Sequence, residues 1–264
     1  MDQYKNIVVE TRGQVQWIRI SRPGSRNALS RATLSELRLA CAESAAAAQL
    51  KAVVVTGEGK EAFAAGGDLK ELSTVRSLED AGALWDLASA ALDGIRNHPL
   101  PVVAALNGLA LGGGAELALA CDFRVASGSA RIGYVQARLN ICSGFGGGAD
   151  LMRILGDRAG LLHALRASAL TPGEALAAGL VDEIAGDNET LDGCVERFLA
   201  PILTLEPQVI RAYKAMSVAA RQGLSIEERR AVERRMFCET WTHDDHWAAV
   251  ERWMQQQQMK ANRA

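Results

Sequence analysis

Short apolar blocks punctuate most of the chain, and between them apolar positions recur at the three-to-four spacing of helices. IVVE at 7–10 and VQWIRI at 15–20 read as strands, with TRGQ between them as a hairpin turn. Ser30 stands where it caps a helix that keeps Leu34, Leu37, Cys41 and Ala45 on one face. KAVVVTG at 51–57 and PVVAAL at 101–106 are buried-strand blocks, and FAAGGDLKEL at 63–72 is a glycine-broken loop entering a helix. Residues 78–97 are helical and end at His98-Pro99. GGGAELALAC at 112–121 predicts a helix, CDFRVAS at 121–127 a strand, and ARIGYVQARLN at 130–140 an extended start. GFGGGADLMRILG at 144–156 turns from loop to helix. Thr171-Pro172-Gly173-Glu174 is a capping box with proline at the first helical position, and that helix stops at Gly179 before the strand LVDEI. Strand and helix patterns alternate, which predicts an α/β fold with mostly parallel pairing.

From about residue 192 the strand patterns vanish. Ser225 and Glu228 form a second capping box, and Val232, Met236 and Trp241 recur at near-helical spacing with Phe237 beside them. Trp247, Val250 and Trp253 follow. This segment carries more aromatic surface than it can bury alone, so it is expected to dock on a second subunit or on the main domain. The division predicted is a core over residues 1–191 and a helical module over 192–264.

Composition narrows the field. With 48% hydrophobic and 23% charged residues in a chain of 264, an ordinary globular protein is expected. A net charge of −2 and few aromatics give no nucleic-acid signature. No apolar run reaches the ~18 residues of a membrane span, and MDQYKNIVVE is not a signal peptide. Five scattered cysteines, never in a CxxC pair, point to reduced thiols and a cytoplasmic setting, and no metal-ligand spacing occurs.

The chemistry gathers at glycines. No GxxxxGK[ST] string exists, so no P-loop is present. GFGGGA at 144–149 fits GxGxxA, but it follows a polar segment and lacks an acidic residue about twenty positions on. What remains is the strand–glycine–helix junction at 112–114, with AAGGDLKEL at 64–72 as a second. Amides and helix dipole at such a junction favour a developing negative charge, which is what an oxyanion hole requires. Glu116 is a lone carboxylate among alanines and leucines just inside the first junction, where a core helix would not otherwise place one.

FAAGGDLKEL, PVVAALNGLALGGGAELALACD and TPGEALAAGLVDEI, in that order and spacing, resemble the crotonase superfamily, the enoyl-CoA hydratase/isomerase family. The resemblance covers nearly the whole chain. It implies a crotonase (ClpP-like) fold of repeated ββα units with a C-terminal helical module for trimerisation, as a trimer or as a hexamer built from two trimers. It implies an acyl-CoA substrate whose coenzyme A arrives with the substrate, with no tightly bound cofactor. The N–H groups of Gly67 and Gly113 take the place of the family's oxyanion hole. Ala65, Asp68 and Leu69 align with the loop along the CoA, and Arg26 with a contact to its nucleotide. Glu116 matches the first catalytic glutamate of the hydratases.

At the second position the chain departs from the pattern. Where hydratases carry a glutamate in a stretch like FGQPE, this chain has IGYVQ, and the residue is Gln136, which is neither acid nor base. Asp150 lies a turn past the glycine loop and does not restore the pair. GGGAEL, the segment with Val135 and SGFGGG resemble the decarboxylase-type members that act on ethylmalonyl-CoA and methylmalonyl-CoA. Loss of CO2 makes the enolate directly, and no base is needed. Expected roles follow: Tyr134 or Gln136 to bind a substrate carboxylate, and Glu116, Tyr134 or water to return a proton. Tyr134, Gln136 and Arg138 are predicted to alternate on one strand face, Arg138 at its edge; His98 is expected as a helix cap and His163 on a helix surface. The expected reaction is decarboxylation of a short 2-carboxyacyl-CoA. The alternatives are an enoyl-CoA hydratase or isomerase using Glu116, and an RNA-binding or inactive crotonase-fold scaffold.

Overall fold

A computed structural model describes residues 3–261. The first strands, β1 (Ile7–Arg12) and β2 (Val15–Ile20), form the expected antiparallel hairpin, but β1 runs two residues further than read, to Arg12 opposite Val15, and the turn shortens to Gly13-Gln14. Helix α1 (Arg31–Ala46) starts where Ser30 accepts from the Thr33 N–H, and buries Leu34, Leu37 and Cys41. β3 (Ala52–Gly57) is buried at every position, as its unbroken apolar run requires for a strand covered on both faces. Then come β4 (Ala62–Ala64), the short α2 (Leu69–Leu72), α3 (Leu78–Arg96), β5 (Val102–Leu106), β6 (Leu109–Leu111), α4 (Gly113–Ala120), β7 (Phe123–Ala126) and β8 (Arg131–Gly133). α5 (Gly147–Leu155), α6 (Asp157–Arg166), α7 (Pro172–Ala177), β9 (Glu183–Ile184) and α8 (Leu191–Leu203) complete this part.

Two sheets carry the core. The larger has the order β1-β2-β3-β5-β7-β9, parallel except for the first hairpin; the smaller is β4-β6-β8, all parallel. Three turns of chain, β3-β4, β5-β6 and β7-β8, each add one strand to each sheet and then helix, which is the repeated ββα unit expected; β1 and β2 both lie in the larger sheet. α4 fills the space above the small sheet and is buried along its whole length. Its approach is close: a Cβ at Gly114 would lie 1.9 Å from the Ala64 carbonyl oxygen, so only glycine fits there.

The chain divides into two compact units, 1–203 and 204–264. This boundary falls one helix later than the 191/192 division read from the sequence. α8 packs on β5 and β7, and Cys194, Val195 and Leu199 belong to the core on the outer face of the large sheet. The loss of strand patterning marked the end of the sheet, not the end of the unit. The second unit holds α9 (Pro207–Arg221), α10 (Ile226–Trp241) and α11 (Asp244–Ala261). Its capping box at Ser225 and Glu228 is formed as expected. Phe237, Trp241, His246 and Trp247 cluster, with Trp247 edge to face against Trp241 and His246 and the other two pairs tilted, and Phe237, Trp241, Trp247 and Trp253 remain about half exposed.

Three local expectations need correction. The extended segment ends at Gly133, and Gln136–Leu139 is a 3-10 turn closed by Asn140 in the left-handed region, so Tyr134, Gln136 and Arg138 do not alternate on a strand. His163 is buried on α6 rather than exposed. His98 does not cap α3. It is buried between two elements, with Nε2 paired to Ser44 Oγ at 2.9 Å and Nδ1 accepting from the Leu100 N–H at 3.1 Å.

Candidate active site

The two glycine junctions come together at one end of the small sheet. Both start where a parallel strand stops and a helix begins: β4 leads to α2 through 65–68, and β6 to α4 through Gly112. Gly66 has φ +112° and Gly112 φ +53°, backbone states that favour glycine. A Cβ at Gly66 would lie 3.2 Å from the Leu111 oxygen and 3.9 Å from the Gly113 nitrogen, so the loops touch. The first loop is pinned from behind by three backbone bonds: Ala65 N–H to Arg26 O (3.1 Å), Leu29 N–H to Gly66 O (2.8 Å) and Asp68 N–H to Leu29 O (3.0 Å). Those bonds leave the Gly67 N–H pointing elsewhere. Neither Gly67 nor Gly113 donates its N–H to any group among the described residues. Gly113 is also the first residue of α4, where the orphan amides of a helix start lie.

Glu116 sits one turn into α4 and is 1% exposed. Its sequence neighbours are apolar, but its carboxylate is not in apolar surroundings. Oε1 accepts from Gln136 Nε2 at 2.8 Å and from the Gly144 N–H at 3.1 Å. Oε2 accepts from Ser143 Oγ at 2.6 Å, the Phe145 N–H at 2.9 Å and the Gly147 N–H at 2.8 Å. An ionised carboxylate only accepts, and five donors match that form. The glycine-rich 144–148 segment, whose GxGxxA match was set aside as a dinucleotide site, wraps this side chain instead. Ser143 was not picked out in the sequence. No spacing rule marks it; only the fold brings it to Glu116, and its Oγ also accepts from the Gly148 N–H at 2.8 Å.

The remaining expected residues divide. Gln136 reaches the site: it is buried, its Cδ lies 3.9 Å from where a Cβ of Gly112 would be, and it faces Glu116. Tyr134 is buried below it and donates to the Gly147 carbonyl at 2.7 Å; burial first, and the Glu116 and Asp150 charges next, push its phenol well above the ordinary range. Arg26 is exposed in the left-handed region and supplies its carbonyl to Ala65; Leu69 is exposed on α2. Asp68 caps α2 through the Glu71 N–H and pairs with Arg22 Nη2 at 2.8 Å; the guanidinium bond holds its carboxyl below the usual range. Arg138 is exposed. Asp150 is no partner of Glu116: it is buried against Arg96 Nε at 2.7 Å.

Beside Gln136 opens a cavity of about 430 Å³. Tyr134, Gln136, Cys142 and Ser143 form its polar wall, and Ile141, Leu151, Met152, Leu161, Ala164 and Leu165 its apolar one. Of the groups around Glu116, the side chains of Gln136 and Ser143 are the ones that border this space. A larger surface groove, about 560 Å³ beside Tyr4 and Glu43, contains none of these residues.

One open amide at the head of a buried helix and a second in the loop that touches it, on paired sheets with ββα repeats, are features of a crotonase-fold enzyme. Comparison with known proteins gives the family. Residues 10–262 match the enoyl-CoA hydratase/isomerase model, and the chain belongs to that family. It is 31% identical over 252 residues to the short-chain-enoyl-CoA hydratase of Clostridium acetobutylicum, spanning 94% of each chain. It is 34% identical to mouse mitochondrial methylglutaconyl-CoA hydratase, over 84% of this chain and 70% of that protein. Enoyl-CoA hydratase from Bacillus anthracis superposes with a TM-score of 0.88 at 28% identity, over 96% of this chain and 97% of that one. These relatives are named hydratases, whereas the local motifs had pointed to decarboxylase-type members.

Proposed function

We propose that the chain is a lyase that decarboxylates a short 2-carboxyacyl-CoA through an enolate held by the Gly67 and Gly113 amides. One observation carries the reading: the group facing Glu116 is the Gln136 amide, donating at 2.8 Å, where an acid–base pair would need a second carboxylate. Hydration must move a proton at Cα and activate a water. Decarboxylation needs only that the C–CO2 bond breaks and its electron pair passes into the thioester oxygen, where two amides receive the charge. An apolar wall beside the reacting carbon strips water from the substrate carboxylate and favours its loss. Gln136 and Ser143 orient that carboxylate from the polar wall. Cα then needs one proton from solvent: the Glu116 carboxylate takes it up and passes it on by way of the Ser143 hydroxyl, which bonds Glu116 and borders the cavity. Arg26, Ala65 and Leu69 line the way taken by the CoA, and Asp68 keeps that loop in shape.

A second reading, hydration of an enoyl-CoA with Glu116 acting alone, is favoured by the 31–34% identity to named hydratases. One experiment separates the two. The purified protein is offered methylmalonyl-, ethylmalonyl-, crotonyl- and 3-enoyl-CoA beside its Glu116→Gln and Gln136→Glu variants. Release of CO2 from the malonyl-type thioesters, with hydration appearing only in Gln136→Glu, supports the first reading; fast hydration of crotonyl-CoA by the parent chain overturns it. The half-exposed aromatic residues of the second unit support self-association as a trimer or hexamer, which sedimentation equilibrium measures.

A further inference from the structure

Phenylalanine 145 interrupts a run of glycines, GFGGG, in a segment with neither helical nor strand periodicity to explain a large apolar side chain. Its ring is 5% exposed and lies against both glycines of the junction. A Cβ at Gly113 would sit 2.5 Å from its Cε2, and one at Gly67 would sit 3.5 Å from its Cζ. Those glycines belong to loops that enter from different strands. Among the described residues, the backbone bonds that pin the Gly67 loop run to Arg26 and Leu29, not to α4. The ring is thus a shared wall for two amides that must aim at one point.

The ring is itself held. Phe145 N–H donates to Glu116 Oε2, and the flanking Gly144 and Gly147 amides donate to the same carboxylate. Gly146, in the left-handed region at φ +77°, turns the chain tightly enough for these amides to converge. Moving the backbone that carries the ring means releasing at least one bond to the buried carboxylate.

We propose that Phe145 is a positioning residue of the oxyanion hole: it sets the separation of the Gly67 and Gly113 amides, and the Glu116 carboxylate sets Phe145. The inference rests on the reading of those amides as a thioester hole, and it gives Glu116 a task beyond proton transfer. The carboxylate is the anchor of a strut, so replacing it disturbs carbonyl polarisation as well as proton movement.

The test uses butyryl-CoA carrying carbon-13 at the thioester carbonyl, a saturated probe that is neither hydrated nor decarboxylated. Isotope-edited infrared spectra of the bound probe read the polarisation of that carbonyl directly. In the parent protein the band moves to lower frequency on binding. Phe145→Leu, which keeps an apolar side chain and folds, loses most of that shift while the probe's Kd changes little, and its kcat falls about tenfold with KM nearly unchanged. Phe145→Ala loses more, and Glu116→Gln, which lacks one acceptor oxygen, also loses part. Folded Phe145→Leu or Glu116→Gln protein that binds the probe and keeps the full shift overturns the proposal. A parent protein that binds butyryl-CoA without any shift, or does not bind it, overturns the thioester reading itself, and with it this one.

Discussion

Two glycine-rich segments, 112–114 and 144–148, have nearly the same composition and opposite fates. The first starts α4 and leaves the Gly113 amide open; the second starts α5 and has its Gly144, Phe145 and Gly147 amides filled by Glu116 and its Gly148 amide by Ser143. A string of glycines thus marks where amides converge, but not on what. The difference is decided by whether a side-chain anion lies within reach. Glu116, carried by the first segment's helix, is the anion of the second, and so one segment is kept available while the other is locked.

The largest expected effect comes from breaking the open side. Gly113→Ala puts a Cβ 2.5 Å from the Phe145 ring, so the amide or the ring must move. Misaiming one donor lowers kcat/KM by about 10²–10³, and the overpacking costs about 1–3 kcal/mol of stability, read by steady-state kinetics and thermal melts. Next is the support behind the locked side. Asp150, on the helix that the second segment starts, is buried against Arg96 from α3, with side chains 5% and 11% exposed. Asp150→Ala leaves the Arg96 guanidinium with Asp93, 2.7 Å away on its own helix, as its remaining carboxylate, and lowers unfolding free energy by about 3 kcal/mol in denaturant titration. Ser143→Ala removes one of five donors to Glu116 and the acceptor of the Gly148 N–H. Its cost is about 1.5–3 kcal/mol, with faster hydrogen exchange at Gly148 than at Gly144 as its signature.

The smallest effect is a pH dependence from beneath the locked segment. His163 packs edge-on to Tyr134 at 6.3 Å, and Tyr134 in turn holds the Gly147 carbonyl. Burial holds the His163 imidazole below its usual range. The folded state then binds fewer protons than the unfolded chain between the lowered value and about 6.5, so stability rises with pH across that window and falls on acidification through it. His163→Phe flattens this dependence, read from Tm against pH.

Elements with a local cause were legible in the sequence. Ser30, Thr171 and Ser225 cap the helices they were read to cap, and the apolar blocks at 52–57 and 102–106 are buried parallel strands. Both glycine junctions were found because a strand–glycine–helix junction is itself a local pattern, and the family resemblance picked Gly67 and Gly113 within them. What failed was set by tertiary contact. The turn at 136–139 replaced an extended strand, and it is this turn that brings Gln136 to Glu116. Ser143 and Phe145 carried no periodicity, and their places follow from a carboxylate twenty-seven and twenty-nine residues earlier in the chain. Likewise His163, expected on a helix surface, sits in α6, whose bounds were not read from the sequence, and it turns inward.

The central claim is that the Gly67 and Gly113 amides converge on one thioester oxygen. The most direct measurement is the proton shift of these two assigned amides in nitrogen-15-labelled protein titrated with butyryl-CoA, and with the thioether analogue that lacks the carbonyl. Both amides are predicted to move downfield with the thioester and to stay with the thioether, while Gly144, Phe145 and Gly147 hold their positions. Two silent glycines, or equal movement with both ligands, would contradict the account.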